Sequence, residues 1–402
     1  MAIAARATLA QAREAANSAR GGRYPQVDFA AAAARERTSF LSQGVNELGP
    51  IANEFAIGPT VSYALDLFGG TQRRIERQDA LAEFQAYQLD GAYLALTGNA
   101  VRQAIVIASA RARIDVLRAL LDDDAQTLDM VDRQFALHYK TRVDVESARS
   151  QLAGDRVLVP PLAQQLAVAR DALAILAGKS PADAPPDDFD LDEFVLPETL
   201  PVSVPSALVR QRPDIRAAEA QLHAASAAIG VATAQLYPSV TLSASFTQEA
   251  LTLSTLFGAS AEGFLIGSAI AAPLFHGGAL EAQQRGAVDA FDAAYANYRQ
   301  TVLASFGQVA DVLQAVDHDA QLLAAEEQAI TAAAATLEAA RASYAVGRVQ
   351  ILQVLDAQRQ LGRARLGYIS ARAQRYLDTA DLFGAMGGAW QDSPTAAQTA
   401  TP

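Results

Sequence analysis

The sequence has no cysteine among its 402 residues, which excludes disulfides, thiolate metal sites, a cysteine nucleophile and a lipid-bearing N-terminal cysteine in the chain as given. Lysine is almost as scarce. Of 32 basic residues only Lys140 and Lys179 are lysines, and 44 acidic residues leave a formal net charge of −12, a sign that disfavours a nucleic-acid partner. No apolar run approaches the roughly 18 residues that a bilayer-crossing helix needs. The four histidines, His138, His223, His276 and His318, are far apart and none has a second histidine at helical spacing, so no metal site is expected. No Walker loop or dinucleotide fingerprint occurs, and Ser260 in Gly258-Ala259-Ser260-Ala261-Glu262 lacks the second glycine of a nucleophile elbow. Neither a cofactor nor an enzymatic activity is expected. The start of the chain carries Arg6, Arg13, Glu14 and Arg20 among alanines, which reads as a helix rather than a signal peptide. The chain as given is therefore expected to stay in the cytosol or to lack its true start.

Hydrophobic residues make up 51% of the chain, much of that alanine, while aromatics are 7% and charged residues 19%. That balance favours helices packed through small side chains. The chain also resembles itself. Arg23-Tyr24-Pro25-Gln26-Val27 returns as Leu236-Tyr237-Pro238-Ser239-Val240 at an offset of 213, and Leu67-Phe68-Gly69-Gly70 returns as Phe275-His276-Gly277-Gly278 at 208. Phe135 matches Tyr344, and Ser147-Ala148-Arg149-Ser150-Gln151-Leu152 matches Asp356-Ala357-Gln358-Arg359-Gln360-Leu361, both at 209. Conserved order and spacing predict an internal duplication of about 200 residues, with a first repeat over 1–177, a linker over 178–205, a second repeat over 206–390 and a disordered tail over 391–402. The linker holds six prolines and seven acidic residues, Asp188 among them, against the single base Lys179, and is expected to run outside the helices.

Within each repeat the pattern reads helix, strand, strand, very long helix, return helix. Residues 239–247 alternate strictly, with Val240, Leu242, Ala244 and Phe246 opposite Ser239, Thr241, Ser243, Ser245 and Thr247. Strands are predicted over 27–37, 57–67, 239–247 and 264–275. Runs of helical period without proline cover 71–137 and 279–346, each about 100 Å long at 1.5 Å per residue if continuous, and return helices are predicted over 139–177 and 348–386. Apolar residues at steps of three and four, such as Val288, Phe291, Tyr295, Tyr298 and Val302, give a coiled-coil seam. Such helices are too long to fold back over nine-residue strands, whose length and alternation suit a tilted bilayer-spanning strand. Four strands in lipid would leave two edges of unpaired backbone groups, each costing several kcal/mol, so copies of the chain must close the sheet together.

The run from Leu208 to Leu222, with Arg212-Pro213-Asp214 at its centre, followed by Ala227-Ala228-Ile229-Gly230-Val231-Ala232 and Tyr237-Pro238-Ser239, resembles the outer-membrane factors of bacterial tripartite efflux pumps, the TolC-like family in its NodT/OprM branch. The likeness continues in Leu65-Asp66-Leu67-Phe68-Gly69, Pro273-Leu274-Phe275-His276-Gly277-Gly278, Tyr344-Ala345-Val346-Gly347, Val354-Leu355-Asp356-Ala357-Gln358 and Gly387-Gly388-Ala389-Trp390, and so covers nearly the whole chain. It implies a homotrimer in which four strands per chain form a twelve-stranded barrel in outer-membrane lipid, with a long coiled-coil tunnel in the periplasm. It also implies docking on a periplasmic membrane-fusion adaptor and an inner-membrane transporter of the resistance-nodulation-division class. This chain departs from the family's pattern by lacking an export signal and a lipidation cysteine, and by placing His138 where the first hairpin tip usually has glycine.

The resemblance also assigns a periplasmic gate to Leu352 and Asp356, an apolar and an acidic ring four residues apart on one helix face. Hairpin-tip contacts fall on Tyr344, Gly347 and Arg348, with Val143 and Ser147 as the first-repeat counterparts of the gate. From the residues alone, Asp356 reads as an ordinary solvated helix residue and Tyr344 as filler in an alanine seam. Arg212, Pro213 and Asp214 suit a helix start and are read as structural. The function implied is an exit duct for small molecules, with type I protein secretion, metal efflux or a soluble coiled-coil scaffold as alternatives.

Overall fold

A computed structural model of the chain describes residues 2–39, 48–183, 188–196 and 211–388. The expected tail over 391–402, the Leu208-Val209-Arg210 start of the family-like run and most of the second linker half lie outside the described residues. Helix α1 (Ala2–Gly21) leads into strands β1 (Gln26–Ser39) and β2 (Leu48–Leu65) and the 67-residue α2 (Gly70–Ala136). After α3 (Arg142–Arg156) and α4 (Val159–Leu176), α5 (Pro213–Ala234) precedes β3 (Ser239–Ala250), β4 (Glu262–Ala271), the 67-residue α6 (Ala279–Ala345) and α7 (Ile351–Ala385). The chain groups into two compact units, each drawing on both sequence halves: residues 3–89 with 216–301, and residues 90–215 with 302 onward.

The first unit holds one antiparallel sheet in the order β1-β2-β3-β4. Its register lines the apolar residues up. Val27 faces Val61, Val61 faces Ala244 and Ala244 faces Ile266, while Leu65, Val240 and Ile270 form a second row and Phe246 meets Phe264. The alternate rows, Gln26-Ser62-Ser243-Gly267 and Asp28-Thr60-Ser245-Leu265, put mainly polar residues on the other face. The apolar face is uncovered in the single chain, with Phe264 81% and Ile266 80% exposed. Gly58 has a specific reason to be glycine, since a Cβ there would lie 1.9 Å from the Phe246 carbonyl oxygen.

Strand ends differ from the sequence expectation. β2 begins at Leu48 rather than 57 and runs through Gly49-Pro50, because its pairing with β1 extends to Leu48 opposite Ser39. β4 ends at Ala271, four residues early, just before Pro273, which has no N–H to donate to a ladder. Past the Gly69 turn, at φ +76°, the Asp66 carboxylate accepts the Thr71 and Gln72 backbone N–H groups at 2.9 and 2.8 Å and so caps α2.

In the second unit the first return segment, expected as one helix over 139–177, is two. Pro160 and Pro161 cannot donate backwards, so α3 stops at Arg156 and α4 restarts with proline in its first turn. The second return helix is continuous. A core near the turns joins Val131 of α2, Val145 and Ala148 of α3, Leu337 of α6 and Ile351, Val354, Leu355 and Leu361 of α7. The described part of the linker is strapped to the helices rather than loose. Leu191 is buried with Ile105, Ala108 and Ala373, the Tyr376 hydroxyl donates to the Phe194 carbonyl at 2.8 Å, and Arg372 binds the Asp192 carboxylate at 2.6 Å. Asp188, in the linker expected to run outside the helices, pairs with Arg170 and lies 3.9 Å from Arg111.

Candidate functional site: the hairpin tips and return helices

Both hairpin tips close by the same local rule. At the first, the His138 and Tyr139 N–H groups reach back to the Phe135 and Gln134 carbonyls at 2.9 Å each, and at the second the Gly347 and Arg348 N–H groups reach the Tyr344 and Ser343 carbonyls at 3.0 and 2.9 Å. That pairing needs a left-handed residue past the helix end. Gly347 supplies it at φ +74°, while His138 adopts φ +63° despite its side chain. Thr141 and Asp144 then form a capping box on α3. The Thr141 backbone N–H bonded to it holds the Asp144 carboxyl below the ordinary range.

Tyr344 is more than filler. Its hydroxyl donates to the side-chain amide oxygen of Gln134 (Oε1) at 2.7 Å, and the Lys140 ammonium stands 4.3 Å over its ring, so the end of α6 is tied to the end of α2. Arg341 adds a 3.5 Å ion pair to Asp123. These groups, with Gly347, line a cavity of about 850 Å³. Arg348 is exposed at the turn. Gln134, Arg341 and Lys140 were not legible beforehand, although Lys140 is one of only two lysines.

Leu352 and Asp356 both lie on the exposed side of α7, one turn apart, while Ile351, Val354 and Leu355 turn into the core. Asp356 accepts from Gln360 at 2.9 Å and from Arg359 at 3.3 Å, so each chain carries a partly neutralised acid. A groove of about 1020 Å³ between α3 and α7 brings Val143 and Ser147 together with Leu352 and Arg359; Asp356 is not among its lining residues.

Arg212, Pro213 and Asp214 do more than start a helix. Buried Arg212 grips Asp214 through two bonds of 3.0 and 2.8 Å, donates to the last-turn carbonyl of Ala385 at 2.9 Å and to Gln308 at 2.8 Å, and thereby joins α5, α6 and the end of α7. Burial would raise the Asp214 pKa, but the Arg212 bonds outweigh it and hold the carboxyl below its ordinary value.

The chain thus combines long paired helical hairpins with a four-stranded antiparallel sheet that leaves its apolar face exposed, an architecture it shares with outer-membrane channels. The profile of the outer membrane efflux protein family matches residues 3–179 and 204–388, and the chain belongs to that family. The pyoverdine export outer membrane protein OpmQ of Pseudomonas putida is 30% identical over 405 residues, 98% of this chain and 84% of the relative. The cation efflux system protein CusC of Escherichia coli K12 is 28% identical over 368 residues, 91% of this chain and 79% of the relative. Among solved structures, the outer-membrane channel OprN superposes with a TM-score of 0.92 at 28% identity, covering 97% of this chain and 87% of that one. The protein is an outer-membrane exit duct of a tripartite efflux system.

Proposed function

We propose that the duct is a homotrimer in which three four-stranded sheets close into one barrel and the hairpins prolong it as a periplasmic tunnel. The observation that carries this is the open sheet: β1 and β4 each pair along one side only, and the apolar face is uncovered. In lipid that face is satisfied, whereas the two edges are not, and neighbouring copies are the partners that pair them without leaving a new edge. The α6 seam argues likewise, since Val288, Tyr295 and Phe306 are exposed in the single chain. The two sequence halves, 1–177 and 206–390, are read as copies of one unit.

Leu352 and Asp356 form the periplasmic gate in this reading. Threefold symmetry turns each into a ring, and three carboxylates about a narrow axis favour cations and resist close approach. Tyr344, Gly347, Arg348, Val143 and Ser147 present the tips to a periplasmic adaptor, which couples the duct to a resistance-nodulation-division transporter. The cargo is small molecules. The name of OpmQ specifies pyoverdine and that of CusC cations, at similar identity to this chain, so the choice is assigned to the pump partner rather than to the duct. Light scattering of outer-membrane extracts in detergent should give three copies of the 42.3 kDa chain; a monodisperse monomer would overturn the assembly.

A further inference from the structure

Between the outgoing and returning helices stand four aspartates that gating does not use, of which Asp124, Asp155 and Asp319 are buried and Asp378 is partly exposed. Asp124 of α2 is 1% exposed and neither of its carboxylate oxygens meets a hydrogen-bond donor. The group it faces is the Asp155 carboxyl of α3, itself 9% exposed and already accepting from Gln151 at 2.8 Å. In the second hairpin Asp319 of α6, 7% exposed with one oxygen unpartnered, faces Asp378 of α7, which accepts from Gln374 at 3.0 Å. Acceptor therefore faces acceptor at both places. Two facing ionised carboxylates repel, and a buried one also lacks solvation, whereas one proton between them makes a charge-assisted O–H···O⁻ bond.

We propose that each hairpin is fastened by one proton shared between its two aspartates, Asp124 with Asp155 and Asp319 with Asp378, so that the clasps hold in mildly acidic surroundings and loosen in mildly alkaline ones. The other charged groups around each pair do not replace the proton. Beside Asp124 stands Asp123, another acid, whose own partner is Arg341 of α6. Arg359 and Arg363 of α7 line the groove that Asp155 borders, and Arg359 is engaged by Asp356. Around Asp319 stand His318 and Arg375 of α7, and the positive charge of Arg375 opposes the shift without cancelling it.

Burial, then the facing Asp155, pushes Asp124 up to about 7, and burial with Asp378 does the same for Asp319, also to about 7. The sign follows from linkage. A carboxyl whose folded pKa is raised gives stability that is fully present below the ordinary aspartate range, near 4, and lost as pH rises through the raised value. The clasps thus release across the neutral range, where surface carboxylates are already ionised and contribute no titration.

Infrared titration of the full-length protein in detergent reads the shared protons directly, because only a neutral carboxyl shows the carboxylic C=O stretch. The wild type should show that band at mildly acidic pH and lose it as pH rises through about 7. The Asp124→Asn and Asp319→Asn variants should each lose part of the band and the double variant all of it, while Asp122→Asn, an exposed neighbour on α2, keeps it. Hydrogen exchange at one mildly alkaline pH adds the mechanical readout, with α3 amides exchanging several-fold more slowly in Asp124→Asn than in wild type, since the amide restores a donor. Should Asp124→Asn not fold, Asp155→Asn tests the same pair. Absence of a neutral-range carboxyl band, its survival in the double variant, or faster α3 exchange in the asparagine variants would overturn the proposal.

Discussion

His138 holds a left-handed backbone conformation at a position where its counterpart in the second tip is Gly347, with the same pair of capping bonds around each. A side chain there costs about 1 kcal/mol relative to glycine. His138→Gly should therefore raise the thermal unfolding midpoint slightly and leave conductance unchanged; a lower midpoint would mean that the imidazole makes a contact worth more than the strain. Arg212 sits at the other extreme. Its guanidinium serves three elements from a buried position, and Asp214 at its side is half exposed, so Arg212→Ala should cost roughly 2 to 3 kcal/mol, with Arg212→Lys recovering only part because it cannot fork. Chemical denaturation of the detergent-solubilised variants measures both. The tip tyrosine stood out because it lies in a run shared with a known family, Tyr344-Ala345-Val346-Gly347. Arg359, Gln134 and Arg341 were not, because an arginine or glutamine on a helix surface carries no mark of the partner it will meet from another helix.

At the scale of elements, period was the reliable signal and boundaries were not. Strict alternation located β3, and the register set its faces, but the start of β2 depended on β1 accepting it through a Gly-Pro pair. The break between α3 and α4 was visible as Pro160-Pro161, yet a long helical period around it masked the stop. The linker shows the other limit. Its prolines and acids read as solvated chain, but Phe189, Leu191, Phe194 and Leu196 pack against α2 and α7, and Arg372 pins Asp192. Arg372→Ala should leave the helices folded and make residues 188–196 several-fold more sensitive to limited proteolysis; unchanged cleavage would show that apolar packing alone holds the strap. In the sheet, Leu242→Arg should cost roughly 2 to 4 kcal/mol of membrane-folded stability if it lies near the bilayer midplane, while Ser243→Arg on the polar face should be tolerated. Equal yields of heat-modifiable protein from outer membranes for the two variants would contradict the facing of β3.

At the scale of the whole molecule, the single chain is incomplete by its own chemistry, with open sheet edges, an uncovered apolar face and an exposed α6 seam. Sequence pattern revealed those needs, whereas the number of copies that meets them came only from the family likeness, because edge pairing sets no count. The proposed narrowing of the tunnel at Leu352 and Asp356 is tested most directly by single-channel recording in a planar bilayer. Asp171, exposed on α4, is a better control than Asp188, which is ion-paired. Wild-type protein should give small, cation-preferring unit steps, with Asp356→Ala giving larger steps and a weaker cation preference and Asp171→Ala matching the wild type. Recordings in which Asp356→Ala leaves conductance and selectivity as in the wild type, or in which Asp171→Ala shifts them as much, would contradict it.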